Sequence, residues 1–149
     1  MSQIDVKKQV DHVFSIANSL RGTYQADKYK DVIIPMTIIR RLECALEETK
    51  DAVCAVFEQD NATPDAILKQ VSRYPFYNTS RYTLEKLLAE PAQLHRNLKT
   101  YIEAFSPNIR MILDKDEGLD FFSQIDKMHK GSRLTGVVRK FSELDLAPE

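Results

Sequence analysis

Two segments of the chain combine cationic side chains with an absence of carboxylates, a pattern that can contact nucleic-acid phosphates. One runs from Lys127 to Lys140, and the other runs from Lys69 to Tyr82 and adds four aromatic residues. Lysine and arginine neutralise phosphates and release their counterions, and aromatic rings can stack against bases. The residues predicted to contact DNA are Arg73, Arg81, Lys130, Arg133 and Lys140.

Both basic segments also have a plain structural interpretation, and the sequence leaves the two interpretations open. The aromatic residues Phe76, Tyr77 and Tyr82 could anchor a long connection onto the core. In the other segment, valine and phenylalanine recur at the spacing of one buried helix face. That arrangement would leave the cations between Arg133 and Lys140 as the solvated side of the same helix.

Carboxylates are concentrated elsewhere, and one group of them follows a single predicted helix. Such a group could dock a basic protein partner, and reversing its charges would then disrupt assembly rather than affinity for DNA. The candidate docking residues are Glu43, Glu47, Glu48 and Asp51. A stand-alone helical protein-interaction module is therefore an alternative function for this chain.

The net charge of the chain is −1 and its pI is about 6.3. A domain that binds nucleic acid by itself usually carries a basic excess, and this chain has none. A helical DNA-binding regulator with a compact basic recognition helix remains a third possibility, which the near-neutral charge disfavours.

No arrangement of residues in the sequence predicts catalysis, cofactor binding or a metal site. His12, His95 and His129 are far apart in the sequence, and Cys44 and Cys54 do not have zinc-ligand spacing. The four glycines fall in no phosphate-binding frame. We expect no catalytic residue, no cofactor-binding residue and no metal ligand in this chain.

The sequence pattern places the charged residues on helices. Only four glycines and six prolines occur in 149 residues, and apolar residues recur at three- and four-residue intervals. The pattern predicts an all-α fold, a single bundle-like domain over residues 1–149. A first helix should end at Gly22, and a long central helix should run from Asp27 to Phe57, with a kink or a break at Pro35.

The sequence also predicts the compartment. The two cysteines read as reduced core residues, the N-terminus has no apolar signal core, and no segment has the length and hydropathy of a membrane span. We therefore expect a soluble cytoplasmic protein with no membrane partner.

The first third of the chain has an aromatic residue, an alanine and Leu-Arg-Gly at the end of a predicted helix, followed by Tyr-Lys and an apolar helix with a basic pair. The residues of this pattern are Phe14, Ala17, Leu20, Arg21, Gly22, Tyr29, Lys30, Val32, Ile33, Ile39 and Arg40. The pattern resembles the N-terminal helical domain of the modification subunit of type I restriction-modification systems. Phe14 stands where the family commonly has tryptophan, and Pro35 falls where an uninterrupted helix is expected.

A weaker match extends the resemblance over nearly the whole chain. It comprises Asn108-Ile109, residues 119–122 and residues 134–141, followed by an end-of-domain segment over residues 142–149. The resemblance implies a non-catalytic domain of an adenine-N6 DNA methyltransferase subunit that helps enclose DNA and dock partner subunits.

The resemblance also implies what the chain lacks. In the family, a following catalytic domain carries a Gly-rich S-adenosylmethionine loop and an Asn-Pro-Pro-aromatic motif that holds the flipped adenine. Neither motif occurs here, so we expect a fragment or a separately encoded module whose full-length parent binds S-adenosylmethionine. The implied partners are double-stranded DNA, a specificity subunit, a second modification subunit and a restriction subunit, in a bacterial or archaeal cytoplasm.

Overall fold

The computed structural model describes residues 6–22, 24–114 and 118–146, and these residues form helices and connections with no β-strand. The all-α prediction is confirmed. The α-helices are α1 Val6–Leu20, α2 Lys30–Leu46, α3 Lys50–Gln59, α4 Asp65–Ser72, α5 Leu84–Leu87, α6 Leu94–Glu103, α7 Pro107–Leu113, α8 Phe121–Lys130 and α9 Leu134–Ser142. Short 3₁₀ helices cover Ala26–Lys28 and Pro91–Gln93.

Local sequence signals set several helix ends. Gly22 follows α1 with φ +92°, a left-handed conformation that favours glycine. The Thr83 hydroxyl caps α5 by accepting a hydrogen bond from the Lys86 backbone N–H at 3.1 Å. Pro107 occupies the first position of α7, where no backbone donor is needed. The predicted stop of the first helix at Gly22 agrees with these bounds.

The predicted central helix is two helices in the structure. The chain turns at Glu47–Thr49, so α2 and α3 replace the single helix expected from Asp27 to Phe57. The Thr49 hydroxyl donates to the Ser72 carbonyl at 3.2 Å, and α3 packs on α4 around Val53, Leu68 and Tyr77. The turn lets α3 cover α4. The apolar residues of α3 continue the spacing of those in α2, which is why the sequence suggested one continuous helix.

Pro35 does not end α2. The proline lies in the second turn of the helix, is buried, and is followed by helical residues as far as Leu46. The break expected at Pro35 is therefore found twelve residues later, at Glu47–Thr49. A kink at Pro35 stays a prediction.

The main core is enclosed by α1, α2, α5, α6, α7, α8 and α9. Helix α2 packs against α8 and α9, α6 packs against the same two helices, and α1 lies on α9. The largest side chains that are fully buried include Tyr101, Phe105, Phe121 and Phe141. Burial of apolar surface in this cluster is the main favourable contribution to folding.

One charged group, Glu43 of α2, lies inside this core. The residue is 7% exposed. Its carboxylate accepts hydrogen bonds from the Tyr101 hydroxyl at 2.6 Å and from the Leu84 backbone N–H at 2.8 Å. Arg40 contributes a salt bridge of 2.6 Å to the other oxygen. The carboxylate therefore joins α2 to α5 and α6.

Candidate nucleic-acid interface

Helices α1 and α9 lie side by side, and basic residues at the start of α9 and within it contact α1 and the residue that follows it. The Arg133 guanidinium donates to the Arg21 carbonyl at 3.2 Å, and the Lys140 ammonium donates to the Ser15 hydroxyl. Because Arg133 meets the end of α1 and Lys140 meets its middle, the two helices run antiparallel. Seven residues of helix place the two cations about 10 Å apart along α9. We name Arg21, Lys130, Arg133 and Lys140 the basic seam.

The Leu20-Arg21-Gly22 turn forms one end of the basic seam. Leu20 is fully buried, and its carbonyl accepts the Tyr24 backbone N–H at 2.9 Å, which closes the turn. The Arg21 side chain is exposed and donates to Asn18 Oδ1 at 3.0 Å. Sequence reasoning treated Arg21 only as part of a helix stop, so it missed this cation; its contact with Arg133, 112 positions later, is not visible in the sequence.

The last turn of α8 adds further positive charge beside this turn. Lys127, His129 and Lys130 lie there, and cations are favourable at the C-terminal end of a helix. The Lys127 ammonium lies 4.2 Å from the centre of the Tyr24 ring, while the Tyr24 hydroxyl donates to Gln124 Oε1 at 2.8 Å. Burial, with a smaller contribution from Asp31, raises the pKa of Tyr24 to about 12. The phenol therefore stays neutral at physiological pH and remains a donor.

Asp126, the one carboxylate within α8, bonds to side chains of α6. Its negative charge therefore does not neutralise the positive charge of the basic seam. His95 Nε2 lies 2.5 Å from Asp126 Oδ1, and the Lys99 ammonium donates to the same oxygen at 2.6 Å. These hydrogen bonds, from His95 first and then Lys99, lower the pKa of Asp126. The His95 ring also stacks on His129, with ring centres 4.3 Å apart.

The five predicted DNA-contact residues fall into two groups. Lys130, Arg133 and Lys140 belong to the basic seam, whereas Arg73 and Arg81 lie on the side of the domain that α3 and α4 build. Arg73 ends α4 in a left-handed conformation with φ 68° and is exposed.

Arg81 is already paired with carboxylates. Its guanidinium donates twice to Glu58, at 2.9 Å each, and lies 3.3 Å from Asp51. The hydrogen bonds from Arg81 lower the pKa of Glu58. The segment from Lys69 to Tyr82 contains no acid of its own, but α3 supplies two.

The aromatic residues of this segment pack inward. Tyr77 is 7% exposed, and its hydroxyl donates to Asp65 at 2.8 Å. Tyr74, Phe76 and Tyr82 are partly buried against the main core. Backbone hydrogen bonds at Tyr77 and Thr79 tie the connection to residues 104–106 after α6. The structure thus favours the anchoring interpretation of these rings.

The four acidic docking candidates do not share one surface. Glu47 and Glu48 are exposed at the turn between α2 and α3, and Asp51 is exposed beside Arg81. Glu43 is buried, so it is not part of an exposed docking face. The physical reason is that its carboxylate satisfies the buried Tyr101 hydroxyl and the Leu84 N–H.

Two properties of the described part of the chain bear on other functions. Among these residues, no group of three or more His, Cys, Asp or Glu side chains could hold a metal ion. None of the described helices has the length and apolar character needed to cross a membrane.

The fold defines an all-helical domain whose basic seam has the Leu-Arg-Gly turn at one end. The family model described as the HsdM N-terminal domain matches residues 10–141, which is nearly the whole chain. The chain belongs to this family, the N-terminal domain of the modification subunit of type I restriction-modification systems. Comparisons with curated proteins and with solved structures give no match.

Proposed function

We propose that this domain helps a type I modification subunit enclose DNA and dock its partner subunits, with the basic seam facing the phosphates. The observation that carries the proposal is the seam itself, four cations at the ends of α1 and α8, at the start of α9 and within α9, in a domain of this family. Cations that line the edge of two packed helices can follow a phosphate backbone without reading bases. Sequence recognition would then belong to the specificity subunit.

The proposal assigns the chemistry to the rest of the assembly. Adenine methylation would require a catalytic domain that binds S-adenosylmethionine, and we assign no cofactor contact to this domain. A specificity subunit, a second modification subunit and a restriction subunit are the proposed protein partners. Glu47, Glu48 and Asp51 are the proposed acidic docking residues, because Glu47 and Glu48 are exposed at the turn between α2 and α3 and Asp51 is exposed in the first turn of α3.

The DNA-contact assignment predicts a change in salt dependence. In the assembled methyltransferase, the triple variant Lys130→Gln, Arg133→Gln, Lys140→Gln should bind duplex DNA more weakly at low salt. The slope of log K against log salt should become less steep by about 1 for each phosphate that the variant no longer neutralises. Fluorescence anisotropy with a labelled target duplex over a salt series measures both quantities.

A matched variant separates local contact from a general reduction in charge. Lys69→Gln, Arg96→Gln and Arg110→Gln remove the same number of charges from α4, α6 and α7, and together should leave the slope near that of the wild type. Arg73→Gln and Arg81→Gln together should change the slope by less than the seam variant, because Glu58 and Asp51 already compensate Arg81. Equal slopes for the seam and matched variants would remove the seam from the DNA interface.

A further inference from the structure

Lys50, at the start of α3, is a partly buried lysine without a carboxylate partner. Its ammonium lies 5.5 Å from the centre of the Tyr101 ring. Among the residues that the structure describes, no carboxylate lies within 4.0 Å of this ammonium. Lys69, by contrast, forms a salt bridge of 2.8 Å with Asp65. Lys50 is therefore a cation that neither water nor a close counter-charge fully stabilises.

The surroundings of Lys50 favour its uncharged form. Burial is the largest influence, and it lowers the pKa of Lys50. The cations Lys86 and Arg81 lower this pKa further, and the opposite influences of Cys54 and Glu43 do not reverse the shift. The free amine is the nucleophile, so a lysine with a lowered pKa reacts with electrophiles at neutral pH.

The same two cations line a small cavity. Its volume is about 220 Å³. The described lining residues are Arg81, Tyr82, Lys86, Glu90 and Asn97. Asn97 lies one turn before Tyr101 on α6, which places the cavity on the side of α6 that Lys50 covers. Pockets for drug-sized ligands measure roughly 300–1,000 Å³, so this cavity suits a small molecule.

The charge of the cavity favours an anion at Lys86. Lys86 is exposed, and among the described residues its ammonium donates only to the Arg81 carbonyl, at 3.4 Å. Glu90 is the one carboxylate of the described lining, and it accepts a long hydrogen bond of 3.4 Å from the Asn97 amide. A phosphate in the cavity would meet an ammonium that no carboxylate compensates, close to the amine of Lys50.

We infer that Lys50 is a modification site that is acylated by a small acyl phosphate, with the phosphate held at Lys86. The Lys50 Nζ attacks the acyl carbon, so a C–N bond forms and the bond from that carbon to the phosphate oxygen breaks. Inorganic phosphate leaves with the electron pair, and the proton of the amine passes to solvent. The product is an uncharged amide, which ends the cation–π contact with Tyr101.

Acylation would change the charge of the acidic docking residues. Lys50 is the one cation between Glu47 and Asp51, so the amide leaves the three carboxylates of this segment without a cation among them. A basic partner should then bind the segment more tightly. This consequence rests on the proposed docking function, whereas the acylation does not. Acylation is measured on the chain alone, so its failure and the failure of the proposed function are distinguishable.

Acetyl phosphate tests the site. The 149-residue chain is incubated with this reagent near neutral pH, and peptide mass spectrometry follows each lysine over time. Lys50 should be acetylated about fivefold faster than Lys69, because it has more free amine and a phosphate is held beside it. Inorganic phosphate should slow the reaction of Lys50 with acetyl phosphate, but not its reaction with p-nitrophenyl acetate, a neutral donor.

The ratio of the Lys50 rates with the two donors separates phosphate binding from the reactivity of the amine. Lys86→Gln should lower this ratio and Glu90→Gln should raise it, each by about two- to threefold, because one removes a cation from the cavity and the other a carboxylate. Lys30→Gln removes an exposed lysine at the far end of α2 and should leave the ratio unchanged. Circular dichroism checks that each variant keeps its helices.

Two results would overturn the inference. One is acetylation of Lys50 that is no faster than that of Lys69. The other is a donor ratio that neither Lys86→Gln nor inorganic phosphate changes, because the amine would then react without a phosphate site.

Discussion

Glu43→Ala should destabilise the domain by about 3–5 kcal/mol, because it leaves a partly buried arginine without its counter-charge. The same change removes the acceptor for the Tyr101 hydroxyl and for the Leu84 backbone N–H, both of which are buried. Urea unfolding, followed by circular dichroism, gives the difference in free energy of unfolding. Most of the decrease comes from groups left unsatisfied rather than from the absolute strength of the ion pair.

Three companion variants make the Glu43 result interpretable. Glu43→Gln keeps one acceptor oxygen and nearly the same shape, so it should cost less than alanine. Tyr101→Phe removes a single hydroxyl and should cost about 1–2 kcal/mol. Glu47→Ala removes an exposed carboxylate four residues later and should stay within about 0.5 kcal/mol of the wild type. A Glu43→Ala destabilisation no larger than that of Glu47→Ala would contradict the buried network.

Tyr101 supplies a further reason to expect a stable network. Burial, and then the negative charge of Glu43, raise the pKa of Tyr101 well above its usual value. The phenol therefore remains protonated above the pH at which an exposed tyrosine ionises, and it continues to donate to the carboxylate.

The second large effect is expected at Gly118, in the turn between α7 and α8. A Cβ atom at this position would lie 2.1 Å from the Ile112 carbonyl oxygen and 2.5 Å from the Met111 carbonyl oxygen. Both obstacles are backbone atoms, and the Ile112 oxygen already accepts the Leu119 N–H at 2.8 Å. Gly118→Ala should therefore destabilise the domain by about 1–3 kcal/mol, because the turn must shift to admit a methyl group.

Gly136 offers a control with the opposite sign. It lies inside α9, and a Cβ there would meet nothing within 4 Å. Gly136→Ala should stabilise the domain by about 0.5–1 kcal/mol, since alanine loses less conformational entropy in a helix. Thermal melts should move in opposite directions for the two substitutions. A melt of Gly118→Ala that matches the wild type would contradict the close approach.

The helices were largely predictable because their ends depend on nearby residues. Gly22 and the Thr83 cap act within one turn of the helix end that they set. The turn at Glu47–Thr49 was not predictable, because it contains neither glycine nor proline and the apolar spacing continues across it. The turn forms because it allows α3 to pack on α4, and this tertiary contact is not visible in the local sequence.

The candidate site was predictable only where charge is local. Lys130 and Arg133 lie in a short segment without acidic residues, so their positive charge could be recognised from the sequence. The ion pairs of Arg81 were not predictable, because its partners, Glu58 and Asp51, lie 23 and 30 positions earlier. Glu43 was assigned to an exposed acidic face because Tyr101, 58 positions later, gives no local sign that it will bury the carboxylate.

The most direct test of the DNA-facing assignment is photocrosslinking from position 130 in the assembled modification methyltransferase bound to target duplex. A benzophenone side chain at position 130 should crosslink to DNA, whereas the same group at position 96, exposed on α6, should not. Crosslinks from position 130 to protein alone, or equal DNA crosslinking from both positions, would contradict a DNA-facing basic seam.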